Sequence, residues 1–317
     1  MNIEINHNVF FEKILPSDFT SSQQALVTTQ KRLALQDALS CKDNSRIMTS
    51  VKDYLGSFNL LLSRIRKNSS NLVLREQPQF DWSCGKHKWM STCWQWEKTM
   101  IHATCFDANI GVGMEFIQKE SWKEASTSFN EAAIHAKTIQ KDILPQWSWK
   151  SEQTIPLTFS EFWSSKLYFA CAMNQFCTLQ FGMSKQSLSD KNSIKLLNRI
   201  EHLSNISLSY WVNEYNKSLM NWSRVCNALI QSQIYANTDQ YGKALGLLQY
   251  WTPVYKDLKK KNSIPMSSLL QLAEKILLME DEWKTSNENI HYQTIETPEI
   301  TYEKMDLDII NKIKTFK

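Results

Sequence analysis

Glycine and proline are scarce in this sequence, which has only 7 of each among its 317 residues. Average proteins use ~7% glycine and ~5% proline, so few residues here interrupt helices and strands. The sequence also lacks the run of ~18 apolar residues that a membrane-spanning helix needs. Its first residues have neither a basic start nor an apolar run, so we expect no secretory leader. These absences indicate long regular elements in a cytoplasmic protein.

Paired cysteine motifs are missing as well. The 7 cysteines, an odd number, never form Cys-x-x-Cys and mostly fall in apolar helical stretches, which is typical of reduced thiols in the cytosol. Cys84, His87, Cys93, His102 and Cys105 are close enough in sequence to suggest a zinc site. Their spacing matches no standard zinc motif, and we expect no bound metal.

Signals for nucleic-acid binding and for catalysis are also absent. The formal charge is only +4, and acidic and basic residues alternate along the chain, so no basic face for nucleic acid is indicated. No glycine-rich phosphate loop occurs. His135 and His202 have no Ser or Cys nucleophile motif beside them. We therefore expect a non-enzymatic protein with no cofactor, no nucleic-acid partner and no small-molecule substrate.

Aromatic residues are abundant: 12 Trp, 14 Phe and 10 Tyr are enough for a large packed core. Residues 2–11 are predicted to contribute short edge strands, and residues 80–85 a loop. Apolar residues then recur every three or four positions, which predicts helices. The predicted helices cover 22–40, 46–67, 94–117, 207–236, 239–261 and 266–287, and two more begin near 121 and 159. Pro253 is predicted to kink or shorten the helix that contains it.

Two of these helices share a weak pattern, in which a small residue lies between two large ones. The pattern places Ala125 between Trp122 and Phe129, and Ala244 before Leu248. Small residues at these positions let neighbouring helices approach closely, as in tetratricopeptide-like hairpins. The sequence therefore predicts a mainly α protein, an elongated tetratricopeptide-like helical solenoid with a small N-terminal β element.

Six segments with aromatic, Lys-x-Ala and leucine-rich patterns follow one another in a fixed order. They are Gln79–Trp82, Trp96–Lys98, Trp122–Ala133, Leu167–Ala172, Tyr241–Gln249 and Glu288–Pro298. In this order they resemble the BRO domain family of the Alix and Brox type. The chain departs from the family pattern at His102–Thr104 and Cys171–Asn174, and is identified as a divergent member. The resemblance implies a BRO-type domain at residues 1–303 and a C-terminal tail or final helix at 304–317.

The resemblance also implies a function. Such a protein would be an adaptor in endosomal sorting or membrane remodelling, cytoplasmic and peripheral on endosomal or other membranes. It would bind the C-terminal amphipathic helix of an ESCRT-III (charged multivesicular body) subunit, with apolar anchors of the guest helix entering a groove. Carried over from the family, the partner-binding residues are Phe176, Ile194, Leu197 and Lys123, and Lys119 stands where the family has an aspartate.

Each of these residues has an alternative interpretation. Phe176, Ile194 and Leu197 would equally suit core positions, and solvated charges on an exposed face are the ordinary interpretation of Lys119 and Lys123. The reversed charge at Lys119 favours a second function, that of a divergent helical scaffold which binds a signalling protein or another protein partner. A further group of basic residues would favour contact with an anionic membrane surface, although simple solvation explains it as well. This group comprises Lys191, Lys195, Arg199, Lys256, Lys259, Lys260 and Lys261.

Overall fold

Helices dominate the structure. The computed structural model describes residues 3–16, 22–67, 74–85, 87–147, 156–209, 213–261 and 267–300, with Ile310, Asn311, Ile313 and Thr315. The strands are β1 (Ile3–Ile5), β2 (Phe80–Cys84) and β3 (His87–Ser91). The helices are α1 (Phe11–Ile14), α2 (Ser22–Cys41), α3 (Asn44–Lys67), α4 (Trp94–Gln118), α5 (Trp122–Thr138), α6 (Ser160–Ser184), α7 (Asp190–Leu208), α8 (Glu214–Ala236), α9 (Tyr241–Lys261), α10 (Ser267–Leu278) and α11 (Glu280–Ser286). The predicted class, mainly α with a small N-terminal β element, is confirmed.

The chain divides into two compact units. The first comprises Met1–Val112, Glu131–Trp163 and Lys314–Lys317, and the second comprises Gly113–Asn130 and Ser164–Ile313. The predicted boundary at residue 303 falls in a stretch of which only four residues are described, so it stays a prediction. None of the described helices is both long and apolar enough to cross a membrane.

A three-stranded antiparallel sheet lies in the first unit, in the order β1-β2-β3. Ile3 pairs with Cys84, and Trp82 pairs with Trp89. The prediction that residues 80–85 form a loop is therefore wrong. Phe80 and Trp82 are two residues apart and both are buried, which is the spacing of one strand face. Gly85, with φ of 62°, forms the turn of a hairpin.

A buried carboxylate connects the sheet to three helices of the first unit. Glu97 on α4 accepts hydrogen bonds from Arg32 Nε at 2.8 Å, from the Tyr54 hydroxyl at 2.6 Å and from Trp82 Nε1 at 2.5 Å. Burial alone would lower the pKa of Arg32, but Glu97 and Tyr54 raise it above its ordinary value. The three donors offset the desolvation of the carboxylate, which would otherwise make a buried ion pair costly.

Successive helices pack against one another in the second unit. α7 packs on α8 and α8 on α9, while α10 contacts α8 and α11 contacts α9. The predicted helix 207–236 is wrong at its start, since α7 extends to Leu208 and α8 begins after Asn213. The Asn213 side chain caps α8 by accepting a hydrogen bond from Tyr215 N–H at 2.8 Å, as helix N-caps do.

One other helix prediction needs correction, whereas the helix that contains Pro253 ends at the predicted residue 261. The predicted helix 266–287 is divided into α10 and α11 at Met279, whose N–H bonds to the Ile276 carbonyl in a tightened last turn. Pro253 does not shorten α9, which continues to Lys261. Pro253 and Gln249, four residues before it, are both exposed. Water can therefore solvate the carbonyl that proline leaves without an N–H partner.

Candidate functional site

The start of α5 packs against α6 within the second unit. The Trp122 and Phe176 rings meet edge to face, with centroids 6.0 Å apart and an interplanar angle of 89°. One turn along α5, the Ser126 carbonyl accepts a hydrogen bond from Asn174 Nδ2 at 3.1 Å. A later residue of α5 therefore contacts an earlier residue of α6, so the two helices are antiparallel here. The corner before α5, at Lys119 and Glu120, consequently lies near the end of α6.

α6 and α7 form an antiparallel hairpin joined by residues 185–189. The Ser165 hydroxyl near the start of α6 donates to the Ser207 carbonyl near the end of α7. At the hairpin end, Gly182 lies so close to the Leu188 side chain that a Cβ would collide with it. The last turns of α6 therefore lie beside the first turns of α7, where Ile194 is found.

The structure separates the five predicted partner-binding residues by exposure. Phe176 is only 1% exposed, and Leu197 is buried as well. Ile194 is half-buried, whereas Lys119 and Lys123 are exposed. Phe176 and Leu197 are therefore core residues, as the alternative interpretation of them held. The other three residues, Ile194, Lys119 and Lys123, have exposed surface on which a partner can dock. Their role in binding a partner stays a prediction.

An aromatic residue that the sequence analysis missed is exposed at this end of α6. Phe181 is 42% exposed, five residues beyond Phe176 and therefore on a different side of the helix. Asn174, Thr178 and Phe181 follow one another at spacings of four and three, so they form one row along α6, and Lys185 follows four residues later, just beyond the helix. None of the four is buried. Three polar residues at this period were the sequence signal that this row faces solvent.

The chemistry of this surface suits binding rather than catalysis. We define the α5–α6–α7 face by Lys119, Lys123, Thr178, Phe181 and Ile194. It combines an exposed ring and an aliphatic side chain with two cations, which fits an amphipathic guest that has acidic residues at its edge.

Two buried thiols of the second unit are poor nucleophiles. Cys177 and Cys226, both in the second unit, are buried, and burial raises the pKa of Cys226 to about 12 and that of Cys177 further still. Since only the thiolate reacts, neither side chain is activated for nucleophilic catalysis.

The residues considered for zinc do not converge in the described structure. Cys84 and Cys93 are partly exposed near the β-hairpin, whereas His102 and Cys105 are buried in α4. Among the residues that the structure describes, no three His, Cys, Asp or Glu side chains come together to hold a metal ion. The side chain of His87 lies outside the described part. The expectation that the protein binds no metal stays a prediction, which metal analysis of the purified protein would test.

Comparison with known proteins gives matches by structure. No family model matches the sequence, and no curated protein matches it. A Bro1 domain solved as a basis for endosomal targeting aligns with 99% of this chain and 89% of its own, at 12% identity and a TM-score of 0.71. The ALIX BRO1 domain in complex with CHMP4C aligns over 93% of this chain and 88% of its own, at 13% identity and a TM-score of 0.70.

A longer ALIX structure, solved in complex with the SIVmac239 PYKEVTEDL late domain, gives a TM-score of 0.74 at 13% identity. The match covers 99% of this chain and 49% of that one. At such low identity a structural likeness identifies the fold and leaves the function to be argued from the site. Because the likeness extends over nearly the whole chain and agrees with the ordered sequence segments, this protein has the fold of a Bro1 domain.

Proposed function

We propose that this protein is a non-enzymatic adaptor that binds the C-terminal amphipathic helix of an ESCRT-III subunit. The observation that carries the proposal is the shared fold with the ALIX BRO1 domain, which was solved in complex with CHMP4C. We further propose that the partner helix docks on the α5–α6–α7 face, and that the protein acts in the cytoplasm, peripherally on endosomal membranes.

The arrangement of this face supports the proposal. Phe181 gives a large apolar contact at the end of α6, and Ile194 lies on the neighbouring helix of the same hairpin. Lys119 and Lys123 lie on the α5 side and would pair with acidic residues of the guest. Rim charges of this kind act on partner choice and association rate more than on affinity. The exposed ring is therefore the residue on which binding energy should concentrate.

Phe181→Asp tests the proposal directly. A charge at this position would remove the dry contact, and truncations at such anchors cost ~2 kcal/mol or more. We expect the affinity for a synthetic C-terminal helix of CHMP4C, measured by calorimetry, to fall at least ~30-fold. The melting temperature should stay near that of the wild type, because Phe181 is already in contact with water.

Phe159→Asp is the matched control. Phe159, just before α6, is 44% exposed and is not part of the α5–α6–α7 face, so its substitution should leave the affinity unchanged. Phe176→Asp gives the opposite contrast, because an unpaired charge at this buried residue should lower the melting temperature severely. A folded Phe181→Asp variant that binds as tightly as the wild type would exclude docking at this face. Failure of the wild type to bind any such helix would reject the ESCRT-III proposal itself.

The alternative function is a divergent scaffold of the same fold that binds a signalling protein or another partner. Two observations favour it: Lys119 has the opposite charge to the family aspartate, and Phe176 is covered by Trp122. A partner captured by the wild type and lost with Lys119→Asp, without binding of CHMP4C helices, would support this function.

Contact with an anionic membrane is the second part of the localisation proposal. Lys259 and Lys261 are paired with Glu274 and Asp257 at 2.5 and 2.7 Å, which reduces their attraction for lipid. Lys256 and Lys260 are exposed on the same helix and would add order ~1 kcal/mol each near an anionic surface. Co-sedimentation with phosphatidylserine vesicles should weaken when both are changed to glutamine.

A further inference from the structure

A small cavity in the first unit is lined by two cations. It lies where the end of α3, the start of α4 and the helical turns that follow α5 meet, and its volume is about 160 Å³. We call it the Lys98 pocket and define it by Ile65, Arg66, Trp94, Lys98, Asp142 and Ile143, which all line it. Nothing in the proposed adaptor function uses this pocket.

The charges in the Lys98 pocket are not balanced. Arg66 and Lys98 contribute two positive charges, and Asp142 is the one carboxylate among the lining residues. Within the described residues, no carboxylate lies within the 4.0 Å of an ion pair from either cation. Burial and the neighbouring Arg66 lower the pKa of Lys98, and Asp142 only partly opposes them. A half-buried ammonium beside a second cation is a costly arrangement that a bound anion would relieve.

One wall of the pocket is apolar and held in place. The Trp94 ring packs against Phe11, Phe58 and Phe80, with centroids 5.8, 5.9 and 5.5 Å apart. Ile143 is buried and Ile65 is half-buried, so the apolar side of a ligand would meet a surface that is already ordered. Such preorganisation lowers the entropic cost of binding.

The start of α4 adds to the attraction for an anion. Trp94 and Gln95 are the first residues of this helix, whose N-terminal end carries a partial positive charge. The C-terminal end of α3, near Arg66, carries a partial negative charge and opposes this attraction. The two full charges therefore dominate, and they select an anion over a cation.

The volume restricts the size of the ligand. Pockets for whole cofactors or drug-sized ligands are typically ~300–1,000 Å³. The pocket thus has room for an acidic head group and a short apolar stem.

We propose that the Lys98 pocket binds an oxyanion, a phosphate monoester or a carboxylate, carried on a short apolar group that lies against Trp94. Lys98 and Arg66 bind the oxygens, and Arg66 contributes the planar fork of donors that suits both kinds of oxyanion. Asp142 disfavours ligands with a second acidic group on its side of the cavity.

Calorimetry on the full chain tests this site with phenyl phosphate, benzoate and inorganic phosphate. We expect saturable one-to-one binding of phenyl phosphate or benzoate, and the stronger of the two identifies the head group. Inorganic phosphate should bind more weakly, since it lacks the stem. Lys98→Gln and Arg66→Gln should each weaken binding of the preferred probe at least ~10-fold, because each removes a charged hydrogen-bond donor to the anion.

Lys67→Gln is the control, because it removes the same charge from the residue after Arg66 without touching the cavity. Equal weakening by Lys67→Gln would show attraction by net charge alone and overturn the site. So would the absence of saturable binding by both aromatic probes.

A second readout is reductive methylation followed by mass spectrometry. The bound probe should slow modification of Lys98 at least ~10-fold and leave Lys67 unchanged, since a tenfold effect corresponds to ~1.4 kcal/mol. Unchanged modification of Lys98 at saturating probe would also overturn the site. Should Lys98→Gln fail to fold, Arg66→Gln at its exposed position applies the same test.

Discussion

Two buried histidines meet in the first unit, one on α4 and one on α5. His102 Nδ1 and His135 Nδ1 are 2.9 Å apart, so one ring donates the proton and the other accepts it. Burial, with the charges of His135 and Lys98, holds the pKa of His102 well below its ordinary value. Burial, with the charge of Lys52, lowers the pKa of His135 to about 4. The pair is therefore neutral when the protein is folded at neutral pH.

Acid should destabilise the fold through this pair. In the unfolded chain both histidines take up a proton near pH ~6.5, whereas the folded protein resists protonation. The unfolded state then binds more protons, so stability is complete above pH ~6.5 and falls as the pH drops towards ~4. At ~1.4 kcal/mol per pKa unit, His135 alone accounts for order ~3 kcal/mol. Urea unfolding across this range should show the loss.

Replacing both histidines by leucine separates this effect from carboxylate titration. The double variant should have a flatter dependence of unfolding free energy on pH between ~6.5 and ~4.5 than the wild type, because it lacks the two imidazoles whose protonation the folded state resists. His202→Gln, at a half-exposed residue of α7, is the control. A double variant that keeps the full slope would place the acid sensitivity elsewhere.

At the level of single residues, the sequence analysis did not identify the exposed side of α6. α6 is apolar on most sides, and the polar residues Asn174 and Thr178 were the signal that the row of Phe181 faces solvent. Phe176 was chosen by resemblance and is in the core, whereas Phe181 was missed. The contact between His102 and His135 depends on how α4 packs against α5, which local spacing does not encode.

At the scale of elements, an extended segment after α11 lies along α9. Tyr292, with φ of 49°, turns the chain out of its last helical turn. Gly242 N–H then donates to the Gln293 side chain at 3.0 Å, and the Thr297 hydroxyl donates to the Gly246 carbonyl at 3.2 Å. A Cβ on Gly246 would collide with the Glu296 backbone. The segment therefore docks on the side of α9 that carries Gly242 and Gly246.

Gly246→Ala should displace this segment. The methyl group meets backbone atoms that cannot rotate away, and overpacking of this kind costs ~1–3 kcal/mol. Hydrogen exchange at Glu296 and Thr297 should accelerate, and the free energy of unfolding should fall by about that amount. Gly56→Ala is the control, because nothing lies within 4 Å of its Cβ and alanine in a helix gains ~1 kcal/mol over glycine. A stabilising Gly246→Ala would contradict the docking.

Helices were the elements that the sequence predicted best. The predicted helix starts near residues 121 and 159 lie within about a residue of the starts of α5 and α6. Errors arose where side-chain chemistry overrides periodicity, as at the Asn213 cap. The hairpin at residues 80–91 was missed because its glycine was interpreted as a loop signal. The hairpin is stabilised by strand pairing and by the hydrogen bond that Trp82 donates to Glu97 on α4.

At the scale of the whole molecule, the order of segments predicted the fold although no single segment sufficed. Buried residues such as Trp82, Trp96, Phe129 and Leu248 restrict substitution through packing, and the fold is shared with a Bro1 domain at only 12% identity. A partner-binding surface has no such constraint, because exposed residues change at little cost in stability. The same ordered motifs therefore predicted the fold better than the binding surface.

Cysteine reactivity should report the stability of each unit separately. None of the 7 cysteines forms a disulfide in the described structure. Cys41 is exposed, whereas Cys105 in the first unit and Cys226 in the second are buried, and burial raises the pKa of both to about 12. With ordinary stability of ~5 kcal/mol or more, these two should react only on unfolding.

Iodoacetamide labelling at about pH 8, followed residue by residue by mass spectrometry, should modify Cys41 at least ~10³-fold faster than Cys105 or Cys226. In concentrated guanidinium all three should react at similar rates, which controls for intrinsic reactivity. Cys41→Ser should remove the fast phase and leave the slow ones unchanged. Rapid labelling of Cys105 alone would show that the first unit opens without the second, and rapid labelling of Cys226 alone would show the reverse. Either result would contradict a core that is closed in both units.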